Sequence, residues 1–255
     1  MKQLCKTAVF TLLGVLPLQG DLLRIQGGGG SWHADPSGSL RYEQYSWLSA
    51  ADQLGYDSRY MPYLWVDLKH PIPYVPNIRL EYTGLRYDGH TAGVITWWGM
   101  NAYLTDSAWS EMEVDEYDAM LYYSLLDDTF WLTLDVGLDL KYARARYMIR
   151  DDYGVGATYD ETGYFLLPQG YLRARAEIPM TDIALEADLE YIESGNSYIY
   201  NTRIKADYWL TTSMFGDVGF EAGYRQQRIW INEEDYSTKI DIDAGGFYLG
   251  AMLRY

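Results

Sequence analysis

The sequence predicts an all-β fold, a transmembrane antiparallel up-and-down β-barrel of ten strands, with eight strands as the alternative. Three observations predict it. Apolar and polar residues alternate with a period of two, the connections between the alternating segments are short and long in turn, and 26 of the 255 residues are tyrosine. Strands with one apolar and one polar face suit a barrel in a membrane, and tyrosine favours the boundary between water and lipid.

Residues 1–20 are predicted to be a secretory signal peptide. Lys2 and Lys6 form a short basic head, and the mostly apolar run that follows is too short to span a bilayer as a helix. Residues 21–255 are then expected to form a single barrel domain. The only cysteine, Cys5, leaves with the signal, so the mature chain is expected to lack disulfide and thiol chemistry.

The net charge excludes one class of partner. The chain carries 20 basic and 36 acidic residues, a formal net charge of −16, and loss of the two signal lysines takes this to −18. Nucleic acid is therefore not an expected partner. No cofactor is predicted either, because nucleophile elbows, phosphate-binding glycine loops and Cys/His metal clusters do not occur in the sequence.

The segment TFWLTLDVGLDLKY, residues 129–142, is the most informative strand. Phe130 and Tyr142 end its apolar stripe on one face, and a strand of this length tilted by about 40° is roughly 30 Å high. This height matches a lipid-facing band between aromatic residues. The predicted lipid-facing positions are Leu132, Leu134, Val136, Leu138 and Leu140.

The same pattern recurs along the chain and predicts the ten strands. They lie near residues 21–33, 60–70, 77–88, 113–125, 129–147, 165–178, 183–193, 198–210, 216–231 and 240–255. Short connections are 71–76, 127–128, 179–182 and 211–215, and long or polar ones are 34–59, 89–112, 148–164 and 232–239, with 193–197 a tight exception. Short periplasmic turns and long extracellular loops are typical of outer-membrane barrels, so both termini are expected in the periplasm. Segment 94–104 is either a strand extension or a loop on the rim.

The last strand carries an assembly mark. It alternates apolar residues on one face and ends on an aromatic residue, which resembles the C-terminal signal read by the bacterial outer-membrane assembly machinery. The residues of this mark are Phe247, Leu249, Gly250, Leu253 and Tyr255. They predict residence in the bacterial outer membrane and the assembly machinery as a partner.

Four consecutive glycines, residues 27–30, begin the barrel. In a soluble protein such a run would be a flexible linker. Here the first strand must pair with the last, which carries Gly245, Gly246 and Gly250. Facing glycines leave room for large side chains and permit local curvature, so the run is predicted to be barrel strand.

These segments resemble a family of small, largely uncharacterised outer-membrane β-barrels of Gram-negative bacteria with a Gly-rich first strand. The matching segments are 27–32, 70–82, 118–138 and 241–255. The resemblance covers most of the mature chain, and the proline turn and the last strand are its most specific parts. It implies residence in the outer membrane and carries no catalytic residues.

Charged residues at inward positions predict a network that fills the lumen. An acidic row on the seventh strand lies between basic rows on the sixth and eighth, and opposite charges on neighbouring strands stabilise each other. The predicted members are Asp135, Asp139, Lys141, Arg173, Arg175, Glu186, Asp188, Glu190, Arg203 and Lys205. A structural network is the main interpretation because buried charges must be paired, and a solute-binding or proton-conducting site is the alternative.

Two other groups of polar residues lie near the extracellular rim. His33 with Asp35, and Asp88 with His90, form possible acid/base pairs of a rim hydrolase, which resembles the Asp/His chemistry of omptin proteases. The second carboxylate pair that such a site needs is not evident, so the protein is predicted not to be an enzyme. Arg144 and Arg146 continue the lipid-facing register above Tyr142 and are expected to meet lipopolysaccharide phosphates.

Taken with the signal and the barrel pattern, these features predict an integral outer-membrane protein with a charge-plugged lumen and a non-catalytic envelope or small-solute role. A narrow solute or ion channel is the first alternative, and a rim-located hydrolase is the second. His70, in the periplasmic proline turn, is predicted to be structural. The expected partners are outer-membrane lipid, lipopolysaccharide and the assembly machinery.

Overall fold

The computed structural model describes residues 23–42, 48–50, 54–92, 107–129, 131–151, 159–210, 216–231 and 238–255. The predicted signal peptide, segment 94–104 and Phe130 lie outside these ranges. Within the ranges, no helix is long and apolar enough to cross a membrane.

The described chain is built from β-strands. In chain order they are β1 (Arg24–Tyr42), β2 (Leu48–Ser49), β3 (Arg59–Lys69), β4 (Asn77–Ala92), β5 (Ser107–Thr129), β6 (Leu132–Asp151), β7 (Tyr159–Glu177), β8 (Ile183–Ser194), β9 (Ser197–Leu210), β10 (Asp217–Ile231) and β11 (Thr238–Arg254). Ten of them are long, and β2 is a two-residue strand that pairs with the upper part of β1.

The ten long strands close into one barrel. Each pairs antiparallel with its neighbour in the chain, apart from the short β2, and β11 pairs back with β1 to close the ring. This seam runs from the pair Gln26 and Arg254 to the pair Tyr42 and Thr238. The predicted ten-stranded antiparallel barrel is confirmed, and the eight-stranded alternative is wrong.

Several strands are longer than predicted on the side of the long loops. β1 continues to Tyr42, and β4 and β5 remain paired up to Ala92 and Ser107. The predicted loops 34–59 and 89–112 are therefore partly strand. Polar positions on both faces weaken the alternating pattern above the lipid band, so periodicity ends before the backbone pairing does.

The outward face of the barrel carries the predicted apolar band. On β6, Val136, Leu138 and Leu140 are 40%, 65% and 46% exposed, as expected for residues that face lipid. A row of tyrosines runs above this band across neighbouring strands β4 to β7. The distance between ring centroids is 5.2 Å from Tyr82 to Tyr117, 6.2 Å from Tyr117 to Tyr142 and 6.3 Å from Tyr142 to Tyr164. Such a belt is typical of the membrane interface.

The four glycines are built into the barrel seam, as predicted. Gly30 lies opposite Gly250, and a Cβ atom on Gly30 would come 2.1 Å from the carbonyl oxygen of Leu249. A Cβ atom on Gly28 would lie 2.9 Å from the indole ring of Trp65. The glycines thus leave space inside the barrel for a large side chain.

His70 stabilises the short turn between β3 and β4, the structural role predicted for it. Its backbone N–H donates to Asn77 Oδ1 at 3.0 Å, and its Nδ1 accepts the Ile72 N–H at 3.2 Å. Nε2 is then the protonated nitrogen and donates to the Pro76 carbonyl oxygen at 3.1 Å. Both ring nitrogens are therefore occupied by the turn itself.

Candidate functional site: the lumen

The lumen is filled by side chains from inward strand positions. All ten residues of the predicted charge network point inward. Nine of them are at most 6% exposed, and the side chain of Arg175 is 11% exposed. Alternation along a strand places them there, because residues two apart lie on the same face.

The acidic row of β8 lies between the basic rows of β7 and β9. Arg175 Nη1 lies 3.0 Å from Glu186 Oε2, and Lys205 Nζ lies 3.4 Å from Glu186 Oε1. In the next layer, Arg203 Nε donates to Asp188 Oδ1 at 2.9 Å. Opposite charges therefore face each other across both strand pairs.

Arg173 links the two sides of the barrel. Its Nη1 donates to Asp67 Oδ2 of β3 at 2.8 Å, and its Nη2 lies 2.6 Å from Asp135 Oδ2 of the neighbouring β6. Tyr122 donates its hydroxyl to Asp67 Oδ1 at 2.5 Å. The Asp135 contact follows the pairing of β6 and β7, in which Arg173 lies opposite Asp135. The Asp67 contact does not follow any strand pairing, because the long guanidinium side chain reaches across the bore to β3.

Glu81 on β4 is the centre of a second link across the bore. Arg203 of β9 donates to its Oε2, Arg225 Nη1 of β10 lies 3.2 Å from its Oε1, and Arg79 Nη2 lies 3.6 Å from its Oε2. Arg225 also donates to Thr83 Oγ1 at 2.8 Å. One carboxylate therefore joins three arginines from three strands.

A third link forms around Glu221 on β10. Tyr63 and Trp65 of β3 donate to its Oε1 at 2.9 Å each, and Lys205 Nζ lies 3.0 Å from its Oε2. The Arg79 guanidinium lies over the Trp65 ring, 4.5 Å from the centroid. Ion pairs and stacked rings thus cross the bore at several heights, which leaves charged side chains in the path of a solute.

Asp139 differs from the other predicted members. It is inward and 1% exposed, but within the described residues neither of its carboxylate oxygens has a hydrogen-bond partner. Its nearest charged neighbours include Asp118 and Glu190, which are acidic too. The prediction that opposite charges pair throughout the network is therefore wrong at this position.

Several lumen residues escaped the prediction, namely Asp67, Glu116, Asp118, Asp207, Glu221 and Arg225. Each lies on the inward face of its strand, and five of the six are 3% exposed or less. Asp207, for example, follows Lys205 by two positions. Extending the alternating register along every strand would have found them.

Above the charged layers the lumen becomes apolar and contains a cavity of about 90 Å³. Leu54 and Tyr56, from the connection between β2 and β3, are buried in this mouth. Gly55 between them has a φ of 69°, and Ser110 Oγ donates to the Leu54 carbonyl oxygen at 3.3 Å. The cavity is also lined by Leu85, Tyr87, Met112, Val114, Ile229 and Ala244.

The floor of this cavity is a polar pair. Gln227 Nε2 of β10 donates to Glu116 Oε1 of β5 at 2.6 Å, and Lys141 Nζ lies 3.4 Å from the second oxygen of Glu116. The cavity therefore ends where the charged layers begin. The sequence did not reveal it, because its upper wall comes from a connection that lacks strand periodicity.

The predicted rim acid/base groups lie outside the lumen. Trp32 is fully buried inside the barrel, so the side chain of its neighbour His33 points to the outer face of β1. The His33 ring packs edge-on against Tyr60, with the ring centroids 4.7 Å apart. Asp88 forms an ion pair with Arg59. Of the four residues, Asp35 and His90 are exposed, and His33 and Asp88 are partly buried.

The two arginines predicted to meet lipopolysaccharide lie above the apolar band and contact carboxylates. Arg144 Nη1 lies 3.6 Å from Asp115 Oδ2, and its side chain is 45% exposed. Arg146 Nη2 lies 2.6 Å from Asp160 Oδ2. This hydrogen bond from Arg146 holds the pKa of the Asp160 carboxyl below its usual value.

The residues of the predicted assembly mark lie on β11 and at the chain end. Phe247, Leu249, Leu253 and Tyr255 face outward, with 74%, 65%, 59% and 63% exposure. Gly250 faces inward, where a Cβ atom would come 2.2 Å from the Tyr63 hydroxyl. A glycine is therefore needed at this position for the large ring to fit.

Comparison with known proteins identifies the fold. No family model matches the chain, and no curated protein matches it. Among solved structures, the outer membrane protease OmpT from Escherichia coli superimposes with a TM-score of 0.54 at 12% identity, over 95% of this chain and 99% of that chain. The chain has the fold of an outer-membrane β-barrel.

Smaller similarities are found to other bacterial barrels. The translocator domain of the autotransporter NalP from Neisseria meningitidis has a TM-score of 0.41 at 12% identity, over 100% of this chain and 96% of that chain. Ail of Yersinia pestis has a TM-score of 0.37 at 8% identity, over 92% of this chain and 100% of that chain. The finer resemblance to barrels with a Gly-rich first strand stays a prediction.

Proposed function

We propose that this chain is an integral outer-membrane protein whose barrel is closed to ions and solutes and is not an enzyme. The observation that carries the proposal is the set of contacts across the bore, in which Arg173 reaches Asp67, and Arg203 and Arg225 reach Glu81. A barrel of ten strands is close to the size that its own side chains fill. The lumen then serves as a rigid charged core.

The placement of the rim histidines supports the non-catalytic part of this proposal. A general base must lie within hydrogen-bond reach of the group it deprotonates, usually inside a cleft. His33 packs on Tyr60 and Asp88 pairs with Arg59. The proposal therefore gives both groups a structural role on the outer surface.

The outer face supports the proposed location and partners. The apolar band and the tyrosine row would contact lipid, and the outward residues of β11 would be read by the assembly machinery. Arg144, with its half-exposed side chain, would exchange Asp115 for a lipopolysaccharide phosphate.

Planar-bilayer recording tests the closed barrel. Refolded wild-type protein is expected to give no steady conductance, and the Glu81→Ala variant is expected to leak, because it removes one acceptor shared by three arginines. Asp160→Ala, which removes an exposed carboxylate, is the matched control and should stay silent. Heat-modifiable mobility in gel electrophoresis verifies that each variant is folded. Steady, ion-selective conductance of the wild type would replace this proposal with the channel.

A small-solute role is the second candidate, favoured by the apolar cavity of about 90 Å³ beneath Leu54 and Tyr56. Apolar cavities in proteins can bind small apolar molecules such as xenon or benzene. Benzene titrated into the folded protein is expected to bind in the wild type and to lose binding in Ala244→Leu, which fills the cavity. Ala187→Leu, on the outward face, is the control. Equal benzene binding by the wild type and Ala244→Leu would exclude this cavity as the site.

A further inference from the structure

Three carboxylates from three strands meet in the middle of the charged lumen. Asp118 of β5, Asp139 of β6 and Glu190 of β8 each offer one oxygen, and these oxygens all lie within 4.8 Å of one another. The residues are 3%, 1% and 0% exposed. Like charges so close together and so far from water are strongly unfavourable unless something neutralises them.

The buried part of the lumen has an excess of negative charge. Among the buried inward residues, with Arg175 counted as well, eleven carboxylates face seven cationic groups. The carboxylates are Asp67, Glu81, Glu116, Asp118, Asp135, Asp139, Glu186, Asp188, Glu190, Asp207 and Glu221, and the cations are Arg79, Lys141, Arg173, Arg175, Arg203, Lys205 and Arg225. The buried charges of this part of the lumen therefore do not balance.

Lys141 is the cation nearest to the cluster, and it is shared. Its Nζ lies 2.6 Å from Asp118 Oδ1, 3.4 Å from Glu116 Oε2 and 3.8 Å from Glu190 Oε2. One positive charge thus serves three carboxylates. Asp139 is not among its contacts in the described structure.

Two side chains at the cluster have no described hydrogen-bond or ion-pair partner on any polar atom. Neither oxygen of Asp139 accepts a hydrogen bond from a described residue, and neither the amide nitrogen nor the amide oxygen of Gln169 has a described partner. Gln169 is 1% exposed and lies opposite Asp139 in the register of β6 and β7, so both side chains enter the same part of the lumen. Buried polar groups are nearly always satisfied, and a missing partner points to a water or an ion.

We propose that Asp118, Asp139, Glu190 and the amide oxygen of Gln169 bind a divalent cation, with Ca²⁺ as the best match. All four donors are hard oxygen ligands, which Ca²⁺ prefers. Mg²⁺ usually keeps several waters and is seldom held by protein ligands alone, whereas Ca²⁺ takes about six to eight oxygens in a flexible geometry. Three carboxylate oxygens within 4.8 Å of one another, together with a buried amide oxygen, therefore match Ca²⁺ better than Mg²⁺.

The burial of the cluster determines how the ion enters and leaves. Since all three carboxylates are at most 3% exposed, the ion is enclosed when the barrel forms and is then released slowly. Weakly bound ions on the acidic outer surface exchange freely with a chelator. Resistance to chelation therefore separates the enclosed ion from the surface ions.

The test is to refold the protein in detergent with CaCl₂, wash it with EDTA and measure the retained calcium by elemental analysis. The wild type is expected to keep about one Ca²⁺ per barrel. Asp139→Asn, which has nearly the same shape, is expected to lose it. The matched control is Asp135→Asn, because this buried carboxylate is fully engaged by Arg173 and by the Ser124 hydroxyl at 2.6 Å. The control should retain the ion.

Urea unfolding of the wild-type protein tests the calcium site without any variant. Wild-type protein refolded with CaCl₂ should unfold at a higher urea concentration than protein refolded in EDTA. Equal midpoints together with no retained calcium would overturn the proposal and assign a proton to the cluster instead. Calcium retained equally by the wild type and a folded Asp139→Asn would also overturn it. Either result leaves the question of conductance untouched.

Discussion

Val136 and Gly137 are neighbours in the sequence and lie in opposite environments. Val136 faces outward with 40% of its side chain exposed. Gly137 faces inward, and a Cβ atom there would come 2.1 Å from the carbonyl oxygen of Leu121. Neighbouring residues of one strand thus lie on the apolar outer surface and in the crowded interior. Substitutions at the two positions therefore affect different parts of the barrel.

At Val136 a charged residue is expected to destabilise the barrel in a bilayer. Val136→Arg should lower the free energy of unfolding by about 2 to 4 kcal/mol, because the guanidinium would sit in hydrocarbon near the mid-plane. Val136→Leu is the control and should unfold near the wild-type midpoint. Urea unfolding in lipid vesicles measures both, and coincident midpoints for the two variants would contradict the proposed lipid face.

At the scale of one element, β11 carries the predicted assembly mark and closes the barrel. Four residues of the mark face outward, and β11 pairs with β1 along the seam. The Tyr255 N–H donates to the Ile25 carbonyl oxygen at 2.9 Å, and the Ile25 N–H donates to the Tyr255 carbonyl oxygen at 3.3 Å. The terminal residue is therefore part of the seam as well as an exposed aromatic side chain.

Deletion of Tyr255 is expected to reduce the amount of folded barrel in the outer membrane while export across the inner membrane continues. The deletion removes both the aromatic side chain and the two hydrogen bonds to Ile25. Tyr255→Phe keeps both features and should assemble normally. Membrane fractionation with heat-modifiability measures the outcome, and normal assembly of the deletion variant would show that the mark is not required.

At the scale of the whole molecule, the lumen has two levels of different chemistry. The lower level is a dense charged core, and the upper level is an apolar mouth covered by Leu54 and Tyr56. The charged level joins opposite walls by ion pairs that are shielded from water, which are sensitive to the loss of either partner. The charged core below thus follows from the pattern of inward residues, whereas the cavity above also needs the connection that carries Leu54 and Tyr56.

The fold and the direction of most lumen residues could be predicted, because a strand repeats every two residues and this period is visible locally. The partners of those residues could not. Arg173 and Arg175 lie on the same face of β7, yet Arg173 reaches Asp67 across the bore and Arg175 meets Glu186 of the neighbouring β8. Which residues meet across the bore depends on strand tilt and stagger, which are properties of the closed barrel rather than of one strand.

Closure of the barrel sets the order of events in its biogenesis. Trp32 Nε1 donates to the carbonyl oxygen of Gly246, which lies 214 residues further along the chain. Contacts between such distant residues form slowly, because the entropy of a large loop is lost before the contact stabilises it. Because β1 is synthesised first and β11 last, one edge of β1 has no partner until the whole chain has been made. An unpaired edge is prone to aggregation. Until β11 pairs with β1, this edge therefore exposes the chain to aggregation.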